Sequence, residues 1–351
     1  MKGPLPLFTP LQIIDVEHPE TWLWEQLTYL ENEYLAKPFL TKRYQHFGFE
    51  EVEKLSFHNV QAFSHYLRQG RACLQTTSAL EGWVEPLTLY YGMLNLLKAV
   101  LITFDPTYPA LTSLMRHGCS TRKKKRQPYR FLQDEVRIQK EGLLPHLLHF
   151  LTSSSKEGER FTPQSLFGMV PELQTPYSLI TKKKTLFPIH LHQEHDSIWL
   201  IVSEDVLDQV HLSLQSWLHQ FSRYVSEENK PKQSFQKNKK IYIQWSFTNI
   251  QEAKVWSMDH PWIYRNQKGV HYLWIDNERP YRDSLPMIAV IYLVLFSLSM
   301  LARYDSPLWG ELLLDSPESA LIQPLFQWVK RWLPHWVYDH LYNHHTLLQI
   351  N

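Results

Sequence analysis

Apolar residues recur at helical spacing through the first third of the chain and again near its end, while the middle breaks into short alternating runs. In ETWLWEQLTYLENEYLAKPF, residues Trp22, Leu23, Leu27, Leu30 and Tyr34 form one helical stripe, and Pro38 marks the end of that helix. SFHNVQAFSHYLRQGRACLQTTSAL keeps the period, with Ser56 as N-cap and Gly70 as a break or bend. EPLTLYYGMLNLLKAVLITFDPTYP starts at Pro86, stops at Asp105-Pro106 and has the length of a buried helix. LPMIAVIYLVLFSLSMLA, from Leu285 to Ala302, carries no charge over 18 residues, and Pro286 suits its first turn. That is the short end for a membrane span. Tyr292, Ser297 and Ser299 interrupt it, so the pattern predicts a central helix buried on all sides against the Pro86–Phe104 helix, with no membrane.

The middle runs, KKKTLFPIHLHQEHDSIWLIVS, KKIYIQWSF and VHYLWID, are β-branched and aromatic with turn residues between them, and predict a small sheet. SSSKEGER is polar and small, a boundary between segments. The expected class is α+β, mainly α, with a small mixed sheet region inserted between N- and C-terminal helices. The expected segments are 15–155, 156–280 and 281–351, the last packing back on the first to make one interleaved domain.

Composition narrows the partners. The 36 basic and 35 acidic side chains nearly cancel, so a polyanion site must be local. Cys73 and Cys119 are the only cysteines, which excludes a disulfide framework and leaves no zinc array. The N-terminus, with one Lys and no sustained apolar run, does not read as a signal peptide, and a reducing cytoplasm is the expected compartment. No Walker loop, GxGxxG, GxSxG or HExxH occurs, and no cofactor is expected.

The basic run HGCSTRKKKRQPYR carries the main candidate site. Arg122, Lys123, Lys124, Lys125 and Arg126 supply cations, His117, Ser120 and Thr121 add polar donors, and Arg130 with Tyr129 adds charge and a stacking face. The set suits a nucleotide, an RNA end or an acidic protein surface. The plainer reading is a solvated loop neutralised by Asp134, Glu135 and Glu141. At ~100° per residue, Tyr91, Asn95, Lys98 and Ile102 share one narrow helical face. They line a pocket, or else Asn95 and Lys98 reach solvent or loop carbonyls. Arg303 either caps the long apolar helix or faces the same cleft as Lys98.

Lesser clusters read as structure. Lys182–Lys184 and Lys237–Lys240 are solvated strand entries, and His340, His344 and His345 fall in a tail that can fray. His190, His192, Glu194, His195 and Asp196 place two imidazoles on one strand face but find no matching ligand cluster, so no metal is expected.

EPLTLYYGMLNLLKAVLITFDPTYP, RHGCSTRKKKRQPYRFLQDEVRIQKEGLLPHL, DHPWIY and LSMLARYDSPLWGELL together resemble the bacterial YaaC-like family over most of the chain. YYGMLNLLKAVL also resembles a helix of HEPN domains, which implies a HEPN-like helical core. The YaaC-like resemblance implies no enzymatic activity. Many HEPN domains are metal-independent ribonucleases that use Arg and His in an R-x(4–6)-H motif on a helix. The match here is Arg265 to His271 in RNQKGVH, which precedes a strand-like run. The expectation is a non-catalytic binding or regulatory protein that grips an anion through the basic loop. A HEPN-type ribonuclease and a protein scaffold using Trp328, Trp332 and Trp336 are the alternatives. Genes of relatives neighbour that of IMP dehydrogenase, which points to that enzyme as a partner and to purine nucleotide metabolism.

Overall fold

The computed structural model describes residues 9–76, 82–125, 128–152, 155–194, 197–223, 231–245, 260, 262–276 and 285–350. The chain divides into two compact units, residues 1–164 with 291–351, and residues 165–290. In chain order come β1 (Thr9–Val16), α1 (Pro19–Tyr29), α2 (Glu33–His46), α3 (Val52–Thr76), α4 (Glu85–Ile102), β2 (Cys119–Arg122), β3 (Glu135–Ile138), α5 (Leu143–Leu151) and β4 (Arg160–Phe161). After α6 (Pro163–Phe167), the second unit holds α7 (Gln174–Thr181), β5 (Leu186–Glu194), β6 (Ser197–Ser203), α8 (Asp205–Val210), α9 (Leu214–Ser222), β7 (Gln233–Lys237), β8 (Lys240–Trp245), β9 (Ile263–Arg265) and β10 (His271–Trp274). α10 (Met287–Tyr304) returns the chain to the first unit, which ends with α11 (Ser306–Leu314), α12 (Ser319–Tyr342) and β11 (His344–Ile350). Helix dominates and the strands form small sheets, so the protein is α+β and mainly α.

The first unit is built around α3, α4 and α10. α3 runs unbroken through Gly70, so this glycine is not the break its residue type suggests. It marks a close helix crossing instead: a Cβ on Gly70 would meet Leu96 Cγ at 2.6 Å and the Gly92 carbonyl oxygen at 3.2 Å. Ser56 likewise sits inside α3, its Oγ donating to Glu53 O, rather than capping it. The predicted first helix is two helices, α1 and α2. Asn32, between them, caps α2 by accepting from Tyr34 N, and Pro38 lies within α2. Polar ties fix the helices: Asn59 donates to Tyr44 Oη and to Pro106 O, and Tyr44 donates to Ile102 O. Arg71 grips the buried Glu31 with two bonds of 2.6 and 2.8 Å.

α10 is the one helix among the described residues long and apolar enough to cross a membrane, and 72% of it is buried inside the protein. Its polar residues are accounted for internally: Ser297 donates to Leu293 O and Ser299 to Phe296 O. As the pattern predicts, it packs on α4, with Tyr90 against Tyr292 and Phe296 at ring separations of 5.4 and 5.6 Å. The C-terminal histidine tail is not frayed. His340 is buried in α12, and β11 pairs in parallel with β1, placing His344 opposite Thr9.

The second unit carries a six-stranded sheet in the order β7-β8-β6-β5-β10-β9. Its pairings are antiparallel throughout rather than mixed; β7–β8 and β9–β10 are joined by short connections, while β6–β8 and β5–β10 pair across longer stretches of chain. Asn238 and Lys239, both at positive φ, form the two-residue turn between β7 and β8. β6 alternates in burial, with Ile198, Leu200 and Val202 inside, beside a ring cluster of Trp217, Phe221, Trp245 and His260.

Candidate functional site

The basic run leaves β2, which pairs with β3 so that Arg122 stands opposite Glu135. The entry is fixed by Gly118, at a φ of 78° and pressed against Pro145 and Gly142, where no Cβ fits. Along β2 the side chains alternate, with Ser120 and Arg122 outward. Ser120 Oγ already accepts from Gln139 Nε2 at 2.6 Å. Past the strand, Lys124 N donates to Asp134 Oδ1 at 2.8 Å, and Tyr129 Oη donates to Asp134 Oδ2 at 2.5 Å. The buried Asp134 thus pins the start of the turn through its backbone, not through a lysine side chain. Burial pushes its carboxyl above the usual range, and these bonds only partly offset that.

Arg122, Lys123, Lys124 and Lys125 line an open groove of about 440 Å³ with Glu135. The carboxylate is shared, since Glu135 lies 3.4 Å from Arg160. Lys123 is paired with Asp305, whose carboxyl that contact holds below the usual range. Arg122, Lys124 and Lys125 are exposed and form no ion pair among the described residues. Arg126 lies outside the described residues. Arg130 is exposed, and its charge acts on the buried Glu318, which also accepts from Leu132 N. The nearby acids therefore only partly neutralise the run.

A second cluster lies on α4, α10 and the turn before β2. Tyr90 Oη donates to Tyr292 Oη at 3.1 Å, Tyr292 Oη donates to His117 O at 2.7 Å, and Tyr90 Oη lies 2.8 Å from His117 Nδ1. Each phenol has one proton. With both committed in this way, the last contact needs the proton on His117 Nδ1, and this count assigns the lone pair to Nε2. No described residue bonds that nitrogen. Burial, then the charges of Arg303 and Lys98, hold the imidazole below its ordinary pKa, so it is neutral at pH 7.

Among the described residues, two nearby cations lack counter-ions. Arg303 donates to Tyr91 Oη at 2.8 Å and lies over the Tyr304 ring, and Lys98 lies 5.3 Å from the Tyr66 ring centroid. Neither pairs with a carboxylate among the described residues. Burial lowers the Lys98 pKa. Tyr108, which acts electrostatically on Tyr292, buries a hydroxyl that has no hydrogen-bond partner among the described residues. Asn95 is spent within its helix, donating to Tyr91 O. Of the predicted pocket set, Tyr91 and Arg303 therefore meet, and the charges of Arg303 and Lys98 both act on His117.

Sequence reasoning missed Tyr90, Tyr292 and Asp305 as partners, and it read Asp134 as a neutralising charge rather than as the acceptor for a backbone amide and a tyrosine hydroxyl. It also missed an Asp105–His146 contact of 2.8 Å. Burial raises the Asp105 carboxyl, but His146 and Thr107 overcome this and leave it below its ordinary value. Arg265 and His271 are cross-strand neighbours on the β9–β10 hairpin, with His271 buried, and are not on a helix. His190 and His192 are exposed on β5, His195 and Asp196 lie outside the described residues, and no group of metal-binding side chains forms among the described ones.

A mainly helical α+β chain with a cationic face on its first unit is the class this geometry defines. Over residues 28–341 the chain matches the family described as YaaC-like Protein, and it belongs to that family. No curated protein and no solved structure matches it.

Proposed function

We propose that this YaaC-like protein is a non-catalytic binding or regulatory protein that recognises an anionic ligand through the groove lined by Arg122, Lys123, Lys124 and Lys125. We further infer that its helical core is HEPN-like and that it acts in the cytoplasm. The observation that supports binding is the groove's charge balance. Lys123 is paired with Asp305 and Glu135 is shared with Arg160, which leaves Arg122, Lys124 and Lys125 without an ion pair among the described residues. Exposed like charges repel one another and are relieved by an arriving anion. The anchored backbone of Lys124 reduces the ordering cost of binding. IMP dehydrogenase is the first protein partner to test.

The Arg265–His271 hairpin lends no support to cleavage of RNA, because the two residues lack the helical setting that the motif needs. The experiment is a salt titration of single-stranded poly(U) binding, followed by fluorescence anisotropy. For a single strand, neutralising Arg122, Lys124 and Lys125 together to Gln lowers the magnitude of the slope of log K against log salt by about 2. An unchanged slope in the triple variant, or a flat salt response in the wild type, overturns the reading.

A further inference from the structure

We propose that Lys98, His117 and Arg303 form a second, separate subsite for a small oxyanion, and that it takes a phosphomonoester together with one proton. This rests on the anion-binding reading and names a ligand class for a second place on the same unit. It uses none of the groove residues.

Three observations converge on it. Lys98 is half-buried, lies by the Tyr66 ring and pairs with no carboxylate among the described residues. A desolvated cation without a counter-ion is costly, and an external anion removes the cost. Arg303, the second unpaired cation, is held by Tyr91 Oη and by stacking on Tyr304, so its guanidinium is positioned before any ligand arrives. His117 is locked by the Tyr90–Tyr292 network into the tautomer that presents a free lone pair at Nε2. Two cations beside a neutral acceptor suit an anion that brings two charges and binds together with one proton from solution. A phosphate monoester dianion fits: its charges face Lys98 and Arg303, and a proton taken up from solution bridges Nε2 and a phosphate oxygen. A carboxylate group carries one charge and is too weak a base to share that proton at neutral pH.

Proton balance gives a signature. The charges of Lys98 and Arg303 disfavour protonation of His117 in the free protein, with Tyr90, Tyr91, Tyr292 and Cys119 the other titratable groups around it. A bound dianion cancels that field, so binding takes up one proton above the free imidazole's pKa.

Isothermal titration calorimetry tests this with inorganic phosphate, adenosine 5′-monophosphate and succinate, each in two buffers of different ionisation enthalpy. The expected results are phosphate and nucleotide binding with proton uptake, and weak or absent succinate binding. Lys98→Gln or Arg303→Gln should each weaken phosphate binding by roughly tenfold or more, the usual size of a charged hydrogen bond. His117→Asn keeps an amide at the Nδ1 position and removes Nε2. It should abolish the proton uptake while its thermal melt stays close to wild type. The triple Arg122/Lys124/Lys125→Gln variant should bind phosphate within about twofold of wild type, since these exposed charges are screened by salt. No phosphate binding by the wild type, or equal affinity in Lys98→Gln and Arg303→Gln, overturns the subsite. Loss of poly(U) binding with phosphate binding kept separates the groove from it, so the two readings fail independently.

Discussion

Asp134 holds the basic turn from below, accepting from a backbone amide and a tyrosine hydroxyl while the cations around it point outward. Replacing it by Ala leaves both donors without their acceptor. The expected loss is about 1–3 kcal/mol, read as a lower urea midpoint at constant slope, together with weaker poly(U) binding; an unaltered midpoint contradicts the role. Two buried histidines make a pH prediction. His260 accepts from Trp262 N and faces Phe221 O, and His340 faces Trp336 O. Burial pushes both down to about 3. In the unfolded chain they titrate near ~6.5, so there the unfolded state binds more protons than the native one. Stability from them is therefore full above that pH and falls as pH drops toward about 3, by at most ~1.4 kcal/mol per pH unit for each. Urea midpoints between pH 7 and pH 4 check this, and His340→Leu should flatten the profile. Tyr91 and Lys98 were legible as neighbours because helical spacing places them on one face of α4, whereas Arg303, on another helix, could be read only as a cap or as a group facing the same cleft. Tyr90 and Tyr292 were not legible, because each phenol finds its partner on another element, and no local pattern records which of several buried tyrosines will meet.

α3 and α4 cross where Gly70 meets Gly92, and this contact outweighs helix propensity. Propensity alone expects Gly70→Ala to stabilise by about 1 kcal/mol. The added Cβ collides with the fully buried Leu96, so we expect a net loss of about 1–3 kcal/mol in urea unfolding. A gain would show that the helices can separate without penalty. The same crossing explains why sequence reading erred here. Helices α3, α4 and α10 were legible from periodicity, but Gly70, Ser56 and Pro38 all looked like punctuation and all lie inside helices. Residue-type rules describe isolated turns, and tertiary packing overrode each of them. The Trp328–Trp332–Trp336 series is a ladder along α12, with Trp336 stacked on His340 at 3.7 Å. Trp328 is buried, so at least one rung of the proposed scaffold surface belongs to the core.

At the scale of the molecule, β1 and β11 join the two ends of the chain, and Thr346 N adds a bond to Asp339 Oδ1. The helical pattern could not reveal this pairing, because strands that meet only across the full length of a chain leave no turn signal between them. The antiparallel order of the second unit's sheet was hidden for a related reason: the runs were visible, but their partners were not. Removing residues 344–351 should lower the melting midpoint by several degrees, since ~1 kcal/mol shifts a unit of this size by about 2–4 °C. An unchanged melt would mean the strand pair adds no stability. The central claim is that the cationic face of the first unit holds oxyanions. The most direct measurement is the position of tungstate, located by anomalous scattering in crystals of the protein. The account predicts peaks in the groove between Arg122 and Lys125 and beside Lys98, His117 and Arg303. Peaks elsewhere with both places empty would contradict it.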